Sequence, residues 1–444
     1  MTLRDAHGNA VSTSSAAALA ASESALWRLM SFYGNPAEDV DAAIAADPGW
    51  LLPHVMKAGF LLSLTEPSLH GDAGAALAVA DGLAHAGNAR ERAHLAAVHR
   101  LADGDWRGAA AGWDALLADH PRDALALQWG HLVDFYRGDL QDLRQRISRV
   151  LPHWRADDPL QPYVLGLHAF GLEESGAYAE AEAVGRAALA GAARVPWAIH
   201  AVAHVMEMQG RHEEGRRWMG RWRPHWAEGN GFVGHLGWHE ALFALESLDH
   251  AGALQAFDAY LRADANEITL QRVDAASMLW RLALHGADVG ERWQALLARW
   301  PLAADDIAGH SAFNDLHALL AMLGAGELRR GEAWVARSMA NAAARPGWNH
   351  EVMRELGAPL MQGLLAFGRG RFDESTRTIA PLRDRLVRVG GSHAQRDIVD
   401  QTLLAAAVRG SDRSVGRALL AQRLAARPAT PLSDAWARRL DGER

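Results

Sequence analysis

A recurring turn divides most of this 444-residue sequence into segments of similar length. In most cases the turn starts with glycine and lies between two stretches rich in apolar residues. The turns begin at Gly104, Gly138, Gly176, Gly210, Leu248, Gly286, Gly326, Gly370 and Gly410. Because glycine tolerates the left-handed backbone with which helices commonly end, the pattern predicts that a helix ends at each of these turns. No β-strand is needed to account for it.

The spacing of the turns indicates pairs of helices. The first three intervals are 34, 38 and 34 residues, and the later ones lie near 40. Such periods are typical of tetratricopeptide repeats, in which helix pairs stack one after another. In Gly176-Ala-Tyr-Ala-Glu-Ala181, glycine ends a first helix, tyrosine covers the turn, and alanine lets a second helix pack closely. We therefore predict an all-α fold: a tetratricopeptide-like helical-repeat superhelix, or α-solenoid.

The N-terminal hundred residues are less regular than the rest of the chain. They start with an Ala/Ser-rich segment and contain the turn Asp47-Pro48-Gly49-Trp50. We expect helical capping and entry repeats over residues 1–100 and regular repeats over residues 101–444, because terminal repeats of a solenoid are commonly atypical. No Gly/Ser-rich linker marks off a further domain. The sequence thus predicts one continuous solenoid.

Composition excludes several classes of function. The formal net charge is -8 at pH 7, and Lys57 is the only lysine, so no basic footprint for nucleic acid or anionic lipid is present. The absence of cysteine excludes disulfides, thiolate nucleophiles and iron–sulfur clusters. No phosphate-binding loop, dinucleotide glycine fingerprint or serine elbow occurs, and we expect no nucleotide or flavin site. With no signal-like N-terminal pattern and no run of about eighteen apolar residues, we expect a soluble, cytoplasmic protein.

Two predicted first helices carry histidine pairs with the spacing of helical metal ligands. The segments are His200-x3-His204-x2-Glu207 and His235-x3-His239. Residues four apart lie on one face of a helix, so both rings of a pair can bind one ion. In a chain without cysteine, an ion must bind histidine or carboxylate. We predict that the four histidines hold a divalent iron, manganese or zinc ion.

Further residues on these and other predicted first helices complete a candidate site on the concave face of the solenoid. We expect Glu207, Asp274 and His317 to act as catalytic acid–base groups. Arg281 and Arg396 can each bind a carboxylate or phosphate through the guanidinium fork. The residues expected to bind a small polar or planar substrate are Trp238, Trp280, Arg281, Asn314, Asp315, His393, Arg396 and Asp397.

Five segments in a fixed order carry a resemblance to a known family. They are His200-Ala-Val-Ala-His204-Val-Met-Glu207, His235-Leu-Gly-Trp238-His239, Val273-Asp274-Ala, Phe313-Asn314-Asp315-Leu-His317-Ala, and Gly390-Gly-Ser-His393-Ala-Gln395-Arg396-Asp397. Together they resemble the tetratricopeptide repeat protein 38 family, of which the chain looks like a bacterial member, over residues 100–430. The resemblance implies a repeat fold of this kind, and the family offers little settled chemistry to carry over.

Three functions are compatible with the candidate site. The first is a metal-dependent enzyme acting on a small molecule, with oxidation favoured over hydrolysis because no distinct general base accompanies Glu207. The second is a scaffold that binds a peptide or protein partner, in which the histidines form a hydrogen-bonded row that stabilises helix contacts. The third is a protein that binds a small molecule without turnover. We favour the enzyme.

Overall fold

The computed structural model describes residues 3–265, 268–302 and 307–442. Within these residues all regular elements are helices, and β-type pairing is limited to the isolated bridges Arg4–Ala10 and Tyr33–Asn230. Most helices pack on their neighbours in sequence, and many are joined by turns of a few residues. The predicted all-α, tetratricopeptide-like repeat fold is confirmed. No helix in the described ranges has the length and apolar character required to cross a membrane.

The chain divides into two compact units. The first comprises Met1–Val202 and Glu228–Phe232, and the second comprises Ala203–Ala227 and Val233–Arg444. The helices that lie wholly in the first unit are α1 (Ala16–Ser31), α2 (Pro36–Ala46), α3 (Leu51–Ser63), α4 (His70–Leu83), α5 (Ala89–Ala102), α6 (Trp106–Asp119), α7 (Ala124–Arg137), α8 (Leu140–Val150), α9 (Gln161–Glu174) and α10 (Tyr178–Gly191), with short 3-10 segments at Pro67–Leu69 and Leu151–His153. The predicted change to regular repeats near residue 100 falls in α5 and stays a prediction.

Helix α11 (Pro196–Met208) contains the boundary between the units. The helices of the second unit are α12 (His212–Trp222), α13 (Val233–Glu246), α14 (His250–Tyr260), α15 (Thr269–Leu284), α16 (Arg292–Arg299), α17 (Ala312–Gly324), α18 (Leu328–Ala344), α19 (Trp348–Val352), α20 (Ala358–Gly368), α21 (Phe372–Ile379), α22 (His393–Arg409), α23 (Ser414–Ala426) and α24 (Pro431–Asp441). A π-helical turn, Met353–Gly357, joins α19 to α20, and 3-10 segments occur at Arg223–His225, Ala263–Ala265 and Ala380–Val389.

Most of the predicted turns have the left-handed backbone conformation expected of glycine, and the turns at Leu248 and Gly410 differ from the rest. Seven of the turn glycines have φ between 64° and 81°, the left-handed region: Gly104, Gly138, Gly176, Gly210, Gly286, Gly326 and Gly370. Leu248 has the same conformation at φ 57°, which costs a residue with a Cβ about 1 kcal/mol. Gly410 instead ends α22 with an extended backbone.

First helices of the second unit are enclosed by protein on most sides. Thirteen of the sixteen residues of α15 are buried, whereas three of the eight in the following α16 are. Helix α15 packs between α13 and α17, and α22, which lies more than a hundred residues later in the sequence, also packs on it. Polar side chains on the inner helices therefore lie in the interior of this unit.

Arginine makes most of the polar cross-links between neighbouring helices. Arg146 on α8, whose side chain is 1% exposed, donates from Nε to Asp134 on α7 at 2.8 Å and also binds Asp114 on α6. The single lysine, Lys57, pairs with Asp41 at the surface. Because a guanidinium group can donate in several directions at once, one arginine can link three helices.

Candidate metal centre

Three histidines converge in the second unit: His204 from α11, and His235 and His239 from α13. One ring nitrogen of each lies within 4.8 Å of those of the other two. The ring centroids of His204 and His239 are 4.5 Å apart, and those of His235 and His239 are 5.0 Å apart. His204 and His239 are fully buried, and the side chain of His235 is 13% exposed. We call these three residues the histidine cluster.

The packing of α13 explains why its two histidines point the same way. His235 and His239 are four residues apart and so share a face of the helix. Gly237 lies between them, where a Cβ would come within 2.3 Å of the Cβ of Tyr260 at the end of α14. The lack of a side chain at Gly237 lets α14 close on that face of α13, and the histidine face is left for α11 and α15.

Two carboxyl groups lie beside Nδ1 atoms of the cluster. Asp274 on α15 places Oδ2 at 2.7 Å from Nδ1 of His235, and its Oδ1 accepts a hydrogen bond from Nε2 of Gln395 at 3.3 Å. Glu207 places Oε2 at 3.4 Å from Nδ1 of His239. A carboxylate on Nδ1 orients a histidine so that Nε2 becomes its metal-binding nitrogen. The expected acid–base groups Glu207 and Asp274 are thus placed as partners of the histidines.

Burial controls the protonation of the cluster. It lowers the pKa of His204 and of His239 well below the usual value, and the nearby His235 lowers both further. Both rings are therefore neutral at pH 7, the form in which histidine binds metal. Burial also raises the pKa of Glu207 to about 8, so that this carboxyl group carries a proton at pH 7. A cation at the cluster would favour the ionised form of Glu207.

Trp238 and Arg281 border the cluster. Trp238 is fully buried, and its ring stacks on that of His235 with centroids 5.3 Å apart. The guanidinium carbon of Arg281 lies 5.4 Å from the centroid of Trp238. Arg281 is 2% exposed and donates to the carbonyl of Ala394 at 2.6 Å and to Ser277. Protein groups therefore contact both of these expected substrate-binding side chains, and their role in substrate binding stays a prediction.

Helix α22 completes this region. Its N-cap is a capping box in which Ser392 and Gln395 exchange hydrogen bonds with each other's backbone. Gln395 also bonds Asp274, 121 residues away in the sequence. Trp280, another expected substrate contact, is buried and donates from Nε1 to Oγ1 of Thr402 at 2.9 Å. Helix α22 therefore packs on α15, the helix that supplies Asp274 to the cluster.

The first turn of α22 also carries three expected substrate-binding residues. His393 and Arg396 are partly exposed, and a terminal nitrogen of Arg396 lies 3.3 Å from Nδ1 of His393. Arg396 also donates to the carbonyl of Gly391. Asp397 binds Arg423; burial would raise the pKa of Asp397, but Arg423 outweighs that effect and holds it well below its usual value. Arg396 and His393 form one pair, and Asp397 belongs to another.

The expected site residues of α17 bond to groups of the same helix or of the loop before it. His317 donates from Nδ1 to the carbonyl of Phe313 at 2.8 Å, and burial lowers its pKa to about 4. Asp315 accepts from the backbone N–H of Gly309 at 2.5 Å, and burial raises its pKa to about 7. The backbone N–H of Asn314 donates to the N-cap serine of the helix at 3.4 Å. Ser311 thus caps α17 through the backbone of Asn314, and Asp315 bonds the loop before the helix. The substrate role expected of Asn314 and Asp315 stays a prediction.

His200 lies in the first unit, one helical turn before His204. The two residues share a face of α11, as their spacing of four predicts. Its ring packs among aromatic residues, with centroids 5.1 Å from Phe170, 5.1 Å from Trp197 and 5.0 Å from Phe232. The assignment of His200 as a fourth metal ligand stays a prediction.

Several residues that support the site were not expected to belong to it. Gln395 could have been recognised as one half of the capping box Ser392-x-x-Gln395, although that pattern does not reveal its bond to Asp274. Arg427 donates to the carbonyl of Glu207 at 3.0 Å and so satisfies the end of α11. No sequence pattern marks Arg427, since it acts on a helix more than two hundred residues earlier.

Comparison with known proteins yields similarity to repeat proteins at low levels. No family model matches the chain. A tetratricopeptide repeat protein from Parabacteroides merdae ATCC 43184 is 14% identical with a TM-score of 0.33, covering 66% of this chain and 98% of that one. The APC/C hetero-tetramer Cut9–Hcn1 is 12% identical with a TM-score of 0.32, and 96% of each chain is covered. At these TM-scores the similarity says nothing of function, and the resemblance to the tetratricopeptide repeat protein 38 family stays a prediction.

Proposed function

We propose that this chain is a metal-binding helical-repeat protein whose second unit holds one divalent transition-metal ion at His204, His235 and His239. The observation that carries the proposal is the convergence of three imidazoles, two of which have a carboxyl group beside Nδ1. Carboxylate–histidine pairs of this kind orient ligands in protein metal sites and raise their basicity.

The donor set favours particular ions. Three imidazoles suit zinc or iron(II), whereas manganese prefers a larger share of oxygen ligands. When bound, such an ion would supply Lewis-acid or redox chemistry at coordination positions that the histidines do not take. Asp274 and Glu207 would hold His235 and His239 in place through Nδ1.

We further propose that the ion serves the oxidation of a small polar molecule. Metal-assisted hydrolysis needs a base placed to activate water. Asp274 and Glu207 instead lie beside imidazole nitrogens, at 2.7 Å from His235 and 3.4 Å from His239, which favours a role for them in positioning the ligands. The absence of cysteine, and hence of disulfides, is consistent with the cytoplasmic location that we propose.

Metal analysis of the full-length protein tests the proposal. The protein and its H204Q/H239Q variant are purified without chelators, incubated separately with iron(II), manganese(II) and zinc(II), and analysed for bound metal after gel filtration. We expect close to one ion per chain in the original protein and loss of that ion in the variant. H285Q is the matched control, because His285 is also buried in this unit and contacts Trp436 instead of the cluster. It should retain the ion.

Two results would count against a metal at this position. One is a protein that takes up none of the three ions in stoichiometric amount. The other is an H204Q/H239Q variant that keeps its helicity by circular dichroism and also keeps its ion. If that double variant fails to fold, H235Q, at the partly exposed end of the cluster, provides the same comparison.

A scaffold for a peptide or protein partner is the second candidate. The observation in its favour is that Trp238, Trp280 and Arg281, the side chains expected to hold a substrate, are buried and contact protein groups. In a scaffold the ion would only stabilise the fold. Removal of the ion by a chelator would then lower the melting temperature of the protein. The partner would stay bound after chelation unless the second unit unfolds.

A further inference from the structure

A small cavity lies in the first unit, where the segment before α1 meets α1, α3, α5 and the start of α7. Most of its lining residues are apolar, among them Leu19, Leu26 and Leu52, and Arg90 of α5 also lines it. The centre of a water-sized group can occupy about 30 Å³ of the cavity. One water needs about 10–15 Å³ on that measure. The enclosed part can therefore hold a group of two or three heavy atoms.

The guanidinium group of Arg90 has one edge that the protein leaves without a hydrogen bond. The side chain of Arg90 is 5% exposed, and Nη1 donates to Asp123 at 2.7 Å. Nε and Nη2 have no hydrogen-bond acceptor among the described residues. Oδ2 of Asp5, which also lines the cavity, lies 3.8 Å from Nη2, beyond hydrogen-bond length. Because buried donors nearly always have a partner, this edge indicates a partner from outside the chain.

Other arginines of the protein show what such an edge binds. Nε and Nη2 of Arg155 donate to the two carboxylate oxygens of Asp157, both at 2.9 Å. The same two nitrogens of Arg292 donate to Asp258 at 2.8 and 2.6 Å. The two N–H groups of this edge are parallel, so they suit a planar group that carries oxygen. Arg90 thus offers two parallel donors to a cavity that has room for a planar group of three heavy atoms.

The charges around the cavity do not favour an anion. Five carboxylates line the cavity or bond to residues that line it: Asp5, Glu23, Glu91, Asp123 and Asp158. Against them stand two arginines, Arg90 and Arg122, of which Arg122 pairs with Asp158. Even with His7 and His94 protonated, the carboxylates would outnumber the basic groups. A cation, for its part, would face the unbonded N–H groups of Arg90. The cavity therefore favours a neutral group that carries an oxygen acceptor.

We infer that this cavity binds the neutral primary amide group of a small molecule. The amide oxygen accepts from Nε and Nη2 of Arg90, and the amide nitrogen donates to Asp5, whose Oδ2 is 3.8 Å from Nη2. The alkyl part of the ligand lies against the leucine side chains. All lining residues belong to the first unit, so the inference does not depend on a metal at the histidine cluster.

Propionamide and propionate provide a matched pair of probes, because they share shape and size and differ in charge. Each is titrated into the full-length protein, and saturation-transfer NMR of its methyl protons measures binding. We expect saturable binding of propionamide and at least tenfold weaker binding of propionate. R90Q should weaken propionamide binding about tenfold or more, since hydrogen bonds from a charged group are lost. R137Q is the control: the side chain of Arg137 is also 5% exposed, and it pairs with Asp139 beyond the other end of α7. It should bind propionamide as the original protein does.

The variant D5N tests the choice between amide and carboxylate. It removes one negative charge beside Nη2, so it should narrow the preference for propionamide over propionate several-fold, whereas a purely structural role of Asp5 would weaken both probes alike. Absence of saturable propionamide binding would overturn the inference and leave a cavity filled by water. Propionate binding as tightly as propionamide, or unchanged propionamide affinity in R90Q, would overturn it as well. If R90Q loses its helicity by circular dichroism, D5N decides, and an unchanged preference in D5N would then refute the inference.

Discussion

The second unit buries both a basic and an acidic side chain, those of His285 and Asp315. Burial lowers the pKa of His285 to about 3, and its ring lies against Trp436. Burial raises the pKa of Asp315 to about 7. Both side chains are therefore neutral in the folded protein at pH 5. In the unfolded chain the histidine would be charged and the aspartate ionised, because their ordinary pKa values lie near 6.5 and 3.9.

The two residues should make stability depend on pH in opposite directions. Between about pH 4.5 and 6, unfolding binds a proton at His285, so this residue makes stability rise with pH by about 1.4 kcal/mol per pH unit. Unfolding releases a proton at Asp315, so this residue makes stability fall with pH by the same amount. We predict that H285Q lowers the slope of unfolding free energy against pH, and that D315N raises it. Urea unfolding at several pH values measures both slopes.

The opposite signs make each variant a control for the other. A general loss of packing would shift both stability curves downward and leave their slopes alike. Equal slopes in H285Q, D315N and the original protein would show that these side chains do not stay neutral on folding. Both substitutions keep a polar group of similar size, and the amide oxygen that D315N introduces could still accept from the backbone N–H of Gly309.

At the scale of elements, α22 links its own N-cap to the histidine cluster. Gln395 bonds the backbone of Ser392 and also Asp274, which in turn bonds His235. The first of these bonds stabilises the helix, and the second fixes the carboxylate that bonds His235, one of the proposed metal ligands. Loss of a partner of this kind typically costs ten- to a hundredfold in metal affinity.

Two variants separate these roles. S392A and Q395A both break the capping box and should each cost about 1 kcal/mol of stability. Only Q395A also removes the bond to Asp274. We predict that Q395A binds the metal about tenfold more weakly than S392A does. Competition with a chromophoric chelator measures the difference, and equal affinities in the two variants would show that Gln395 serves the helix alone.

The elements were more predictable from the sequence than their long-range contacts. Periodic glycines predicted the helix ends, and even the turn at Leu248 was recognised by its position in the series. Helical spacing placed His235 and His239 on one face. The bond from Gln395 to Asp274 depends on how several intervening helix pairs stack, and small rotations that add up over these pairs leave no local pattern.

At the scale of the whole molecule, the preference for arginine over lysine sets the response to alkali. Guanidinium groups stay charged above pH 12, so pairs such as Arg146–Asp134 persist where lysine pairs would fail. In alkali, the side chains whose ionisation can destabilise the fold are therefore the tyrosines. Tyr136 donates to the carbonyl of Ser63 at 2.9 Å, and burial raises its pKa well above its ordinary value.

We predict that alkaline unfolding begins above about pH 10 and is driven by buried tyrosine. Because the pKa of Tyr136 is raised by folding, its contribution to stability is present below pH 10 and is lost as the pH rises further. Y136F should therefore flatten the fall of stability above pH 10, although it loses one hydrogen bond. Far-UV circular dichroism and tyrosinate absorbance, followed together, measure this. Ionisation of all five tyrosines before any helix is lost would contradict it.

The return of α22 to α15 also sets an order of events during folding. Arg281 and the carbonyl of Ala394 are 113 residues apart in the sequence, whereas the helices of each pair are close neighbours. Contacts of such separation form late, because a long loop must close first. A nascent chain on the ribosome would expose His204, His235 and His239 well before Gln395 is synthesised. The complete site would therefore form late in folding. Ions present during synthesis would first meet the three histidines before Gln395 is in place.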